Sequence, residues 1–111
     1  MQRWRSFGAV LALTGLLLAA GGPAQAACMG YGRLVYCYIN LSANPAYGYF
    51  YVAPSGYSYY HYFKTTDARM IRYLSAGQAS KRTVYIYGDA PQCPTSGITR
   101  YGGVINYANM Q

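Results

Sequence analysis

Between Thr65 and Gly88 the hydrophobic period of the chain switches once, from 3.6 to 2, and this limits the folds open to it. In TTDARMIRYLSAGQASKRTVYIYG, residues Met70, Ile71, Tyr73 and Leu74 fall on one side of a helical projection, with Arg69, Arg72 and Ala76 opposite. Thr66 or Asp67 can cap the N-terminus, Asp67 also complements the helix dipole there, and Lys81 and Arg82 follow the C-terminus. From Thr83 onward Val84 and Ile86 point one way, Tyr85 and Tyr87 the other, and Gly88-Asp89 ends the strand. No other stretch after residue 26 reads as a helix, so a single helix must sit among strands.

The strands follow from alternation and turn chemistry. Cys28 to Gly32 reads as loop, and Arg33–Leu41 as the first strand. Val35, Cys37, Ile39 and Leu41 share its core face, and Leu34, Tyr36, Tyr38 and Asn40 a tyrosine-lined outer one. Asn44-Pro45 marks a turn, Tyr47–Val52 a second strand with Gly48 at a bend or bulge, Pro54-Ser55-Gly56 another turn, and Tyr57–Lys64 a third strand. After the helix come Thr83–Tyr87 and a last strand over Ile98–Ala108, interrupted at Gly102-Gly103. Three strands, helix, strand, strand is the element order of an OB-fold, a small five-stranded closed barrel. An open α+β sheet with the helix on one face reads the same way.

The first 26 residues read as a secretory signal peptide: Arg3 and Arg5, an apolar run from Phe7 to Ala20, and Ala24-Gln25-Ala26 as the cleavage pattern before Ala27. The run is short for a membrane anchor. Cys28 after Ala26-Ala27 opens a lipoprotein reading, against which Gln25 stands where such signals want Leu. Residues 27–111 suffice for one small domain, exported to the periplasm or beyond, and a core that small needs a staple. Three cysteines, Cys28, Cys37 and Cys93, allow three single-disulfide pairings. The barrel reading selects among them. In an OB-fold the start of the first strand meets the end of the fourth, so Cys28 is expected to bond Cys93, leaving Cys37 as a buried thiol.

Composition narrows the chemistry. The chain has no glutamate, a single histidine, His61, and no G-x-S-x-G, H-E-x-x-H or P-loop spacing, so no catalytic residues, cofactor or metal ligands are assigned. The cysteines lack the close spacing of a metal site. Residues 27–111 carry seven lysines and arginines against Asp67 and Asp89, together with all fifteen tyrosines. Tyr47, Tyr49 and Tyr51 alternate along the second strand and Tyr60 and Tyr62 along the third. The two strands can present a ring-covered face, with Lys64, Arg69 or Arg72 beside it to meet a carboxylate or phosphate. The expected role is a non-enzymatic binding module for an acidic glycan or envelope polymer. The alternative is an interaction or inhibitor domain that docks an exported protein through the same face or a strand edge. Export argues against nucleic acid as partner.

The stretch MIRYLSAGQASKRTVYIYG, followed by the cysteine loop at Cys93, resembles the helix-to-strand unit in the B subunits of subtilase cytotoxin and pertussis-like toxins. The resemblance implies an OB-fold, assembly into a pentamer and binding of sialylated glycans. The chain is shorter than those subunits and lacks their paired-cysteine hairpin, so none of their sugar-contacting residues is carried over.

Overall fold

The first strand, β1 (Cys28–Asn40), is long enough to serve two neighbours. The computed structural model describes residues 27–111, in which β1 is followed by β2 (Tyr47–Ala53), β3 (Tyr60–Thr65), α1 (Ala68–Ala79), β4 (Thr83–Gly88) and β5 (Thr99–Met110). The sheet closes in the order β1-β2-β3-β5-β4 and back to β1. All pairings are antiparallel except β3 with β5, which run parallel and shut the barrel. This is the five-stranded OB-like barrel that the element order implies, not an open sheet. The signal-peptide reading falls on residues 1–26, outside the described residues. Among the described residues no helix is long and apolar enough to cross a membrane.

Closure decides which side chains meet. The N-terminal part of β1 pairs with β4, from Cys28 opposite Gly88 to Arg33 opposite Thr83, and the rest pairs with β2 as far as Asn40 opposite Tyr47. A β-bulge between Leu34 and Tyr36 lies just past the change of partner. It corrects the expected face: before the bulge Cys28, Gly30, Gly32 and Leu34 point inward, and after it Cys37 and Ile39 do. One extra residue reverses the alternation. Leu34 is therefore fully buried rather than on the tyrosine side, and Leu41, expected on the core face, lies beyond the strand and largely exposed.

The interior holds Leu34, Phe50, Val52, Phe63, Ile71, Leu74, Val84 and Ile86, with the half-cystine Cys28 among them. Phe63 sits in a cradle of glycines: a Cβ on Gly30, Gly88 or Gly102 would come within 2.9 Å of its ring. Space for one large ring is made by removing side chains from three surrounding strands. For that reason Cys28–Gly32 is strand rather than loop, and Gly102-Gly103 lies inside a continuous β5 rather than interrupting it. Gly103 also adopts φ +98°, which a side chain would strain, beside Asp89, whose Oδ1 accepts the Val104 N–H at 2.8 Å. The third strand starts at Tyr60, three residues later than expected, because Tyr57–Tyr59 belong to the connection from β2.

The helix packs over β1 and β2, burying Ile71, Leu74 and Gly77. Tyr73, expected on this stripe, is instead 43% exposed; its hydroxyl accepts the Met110 N–H at 2.7 Å and ties α1 to the end of β5. Asp67 is the N-cap, its Oδ1 accepting the Arg69 and Met70 N–H groups at 2.8 and 3.3 Å. These amides, Met70 foremost, hold the carboxyl below its ordinary pKa of 3.8. A depressed carboxylate contributes stability that is complete above the unfolded-chain pKa and lost as pH falls through the folded value. Asp67→Asn keeps a capping oxygen without the charge. Its denaturant midpoint is expected to fall slightly at neutral pH and to depend less on pH along the acid limb than that of the parent chain. Parallel acid limbs would show that the cap charge contributes nothing.

Candidate functional site

Alternation along β2 sends Phe50 and Val52 into the core and Tyr47, Tyr49 and Tyr51 out, half-buried by one another. Along β3, His61 and Phe63 go in while Tyr62 and Lys64 come out. Register then lines the outward groups up across the sheet. One row crosses four strands through Tyr36, Tyr51, Tyr62 and Tyr101, each opposite the next, and a second runs through Tyr38, Tyr49 and Lys64.

The rings of these rows touch. Tyr51 and Tyr62 stack, with centroids 5.1 Å apart and planes 13° from parallel, and Tyr62 meets Tyr101 at 5.1 Å and Tyr49 at 5.9 Å. Tyr36 approaches Tyr51 edge-on at 5.4 Å, while Tyr47 joins Tyr38 and Tyr49. Each such pair contributes about 0.5–1.5 kcal/mol beyond its area. The rings are thus held in place by their neighbours. The Lys64 ammonium lies 5.2 Å from the centre of the Tyr47 ring, and Asn40 Nδ2 donates to the Tyr47 hydroxyl at 3.5 Å.

Tyr49, Tyr51, Tyr62, Lys64 and Tyr101 line a cleft of about 290 Å³. A neighbouring cleft of about 300 Å³ shares Tyr51 and adds Tyr36, Tyr60, Val35 and Thr99. Burial, followed by the neighbouring phenols, pushes the Tyr51 hydroxyl above its ordinary pKa, and burial foremost does the same for Tyr101. Both therefore stay neutral, able to donate as well as accept. The lining offers flat apolar rings, phenol hydroxyls and one ammonium, groups that bind and orient.

Of the residues singled out from sequence, Tyr47, Tyr49, Tyr51, Tyr62 and Lys64 come together on one face, and Tyr60 stands at its border in the second cleft. Arg72 stands exposed on α1 and lines neither tyrosine cleft; Arg69 lines a separate hollow with Asp67, Met70 and Tyr73. Tyr101 joins the site without having been singled out. Its place depends on the parallel β3–β5 pairing, which joins strands separated by the helix and β4 and leaves no local mark.

The Cys28–Cys93 disulfide is formed, over a sequence separation of 65, and Cys37 is free. Bonds of this kind belong to oxidising compartments. The Cys37 sulfur lies 3.7 Å from Gln78 Oε1, and burial raises its pKa, so the thiol is kept protonated. His61 lies inside the barrel beside the disulfide, with Tyr59 at 5.2 Å and Phe63 at 6.3 Å. Burial, and then the charge of Arg100, hold its pKa below the ordinary value, leaving it neutral near pH 7. Comparison of the chain with protein-family models, with curated proteins and with solved structures finds no match.

Proposed function

We propose that this chain is an exported, non-enzymatic binding module that holds an acidic glycan against the outer face of β1, β2, β3 and β5. The observation that carries the reading is the cleft in which four tyrosines and Lys64 converge. A pyranose presents an apolar C–H face and a rim of hydroxyls, and a stacked, preordered pair such as Tyr51–Tyr62 offers the first a platform and the second hydrogen-bond partners. Lys64 beside the rings suits a carboxylate or sulfate on the sugar. Asp67 and Asp89 are the acidic side chains of residues 27–111, against seven lysines and arginines, and the surplus of positive charge attracts anions. The same face of an OB-type barrel is where oligosaccharides and oligonucleotides bind in general. The resemblance to toxin B subunits adds sialylated glycans and a pentameric assembly to the reading as expectations.

A glycan array probed with the folded, disulfide-bonded chain of residues 27–111, at low and raised salt, tests the proposal. Selective binding to sialylated or other acidic glycans, weakened by salt, is the expected result. Tyr62→Ala removes the ring that touches Tyr49, Tyr51 and Tyr101, and is expected to weaken binding by about tenfold or more, as loss of a central aromatic anchor does. Lys64→Gln should weaken acidic ligands more than their neutral counterparts. An array with no selective signal, or one that Tyr62→Ala leaves unchanged, sinks the reading.

A further inference from the structure

The barrel brings together three side chains that are distant in sequence: Cys28 at the start of β1, Cys93 in the loop after β4, and His61 on the inner face of β3. Their ligand-type atoms all lie within 4.8 Å of one another. Cys28 is fully buried, His61 is 8% exposed, and Cys93 reaches the surface in part. Among the described residues, His61 Nδ1 is the buried side-chain nitrogen with no hydrogen-bond partner. A buried polar nitrogen without a partner costs free energy, and the imidazole that carries it has two sulfurs for neighbours.

We infer that this cluster is a metal site released by reduction: when the Cys28–Cys93 bond is opened, the two sulfurs and the His61 imidazole hold a thiophilic divalent cation of the zinc type. While the bond is intact each sulfur is spent on the other, and neither is a thiolate. A dithiol reductant opens it by giving up two electrons and two protons and closing into a disulfide of its own, and Cys28 and Cys93 become thiols. Binding of the cation displaces those two protons to solvent, so that two thiolates and a neutral imidazole compensate its two positive charges. Soft sulfur ligands with an imidazole select zinc over hard cations.

The geometry asks for little movement. Around a tetrahedral zinc, with Zn–S about 2.3 Å and Zn–N about 2.0 Å, ligand atoms stand roughly 3.5–3.8 Å apart. The reduced sulfurs separate to ordinary non-bonded contact and the His61 imidazole, within 4.8 Å of them, closes by about 1 Å, with the fourth position left to water on the Cys93 side. A metal bridging β1, β3 and the β4–β5 loop also replaces the lost covalent staple across the same seam. Sequence spacing gave no hint of this, because no two of the three residues are close along the chain.

Cobalt(II) serves as the spectroscopic probe for zinc, and Cys37→Ser removes the third thiol from the comparison. In that background the phosphine-reduced chain is expected to take up one equivalent of cobalt with a thiolate-to-cobalt charge-transfer band, and the oxidised chain to give none. His61→Ala, and His61→Phe, which refills the space with a ring lacking a ligand nitrogen, should each weaken cobalt binding by about tenfold or more. Zinc should raise the melting temperature of the reduced chain. The inference is overturned by a reduced chain without the band, by a band that both His61 variants leave unchanged, or by a reduced chain that is unfolded with and without zinc.

Discussion

Replacing Cys28 and Cys93 together by alanine is expected to lower the free energy of unfolding by about 4 kcal/mol. The bond joins residues 65 apart, so in the unfolded chain it forbids a large share of otherwise accessible conformations, and its removal restores them. For a core of this size the loss is a large fraction of the total, since small domains are stable by only a few kcal/mol. The location matters as well as the loop length. Cys28 opens β1 opposite Gly88, the last residue of β4, so the bond fastens the end of the β1–β4 pairing. Denaturant titration separates the two contributions. Release of the unfolded chain raises the dependence on denaturant because more surface is exposed on unfolding, whereas loss of native contacts alone lowers the midpoint at constant slope. A fall of less than about 1 kcal/mol would mean that strand pairing holds that end without the bond.

Gly102→Ala is expected to cost about 3 kcal/mol, the upper part of the range for an overpacked core, because its Cβ has no place to go except into the Phe63 ring. The ring cannot retreat: Gly30 and Gly88 approach it from the other strands, and a Cβ on Gly88 would also meet the Gly102 carbonyl. A smaller side chain at 63 should relieve the clash. Phe63→Leu alone leaves a void and destabilises the barrel, yet combined with Gly102→Ala the two costs should fall short of their sum by about 1 kcal/mol or more. A double-mutant cycle by chemical denaturation measures that difference. Strictly additive costs would show that the ring and the glycine are not in the direct opposition described.

The same cradle explains where sequence reading failed. Glycine is a signal for turns and breaks, so Gly30 and Gly32 point to a loop and Gly102-Gly103 to an interruption; in a narrow barrel these residues instead make room for the Phe63 ring and for backbone that passes close beside them. Plain alternation in β1 carries no mark of its bulge and so assigns Leu34 to the outer face. In contrast, the helix was legible from its period and from Asp67, and the order of elements was enough to name the barrel and, through it, to choose Cys93 over Cys37 as partner for Cys28. The site was half legible. Tyr47, Tyr49, Tyr51 and Tyr62 declare themselves by local alternation, but Tyr101 and the cluster of His61 with the disulfide depend on pairing between strands far apart in sequence. Arg72 stands next to β3 along the chain, yet α1 packs over β1 and β2 and that arginine is exposed and lines neither tyrosine cleft.

The rows of phenol rings make this barrel an optical instrument. The one tryptophan of the sequence, Trp4, precedes the described residues, so ultraviolet emission from residues 27–111 comes from tyrosine alone. Tyr36, Tyr51, Tyr62 and Tyr101 pass from ring to ring at centroid separations of 5.1–5.4 Å, close enough for excitation absorbed by one to migrate among the others before it is emitted. A ligand laid on Tyr62 therefore changes the brightness and polarisation of the whole row rather than of one chromophore. Occupancy of the face can be followed in the unlabelled chain by its own light.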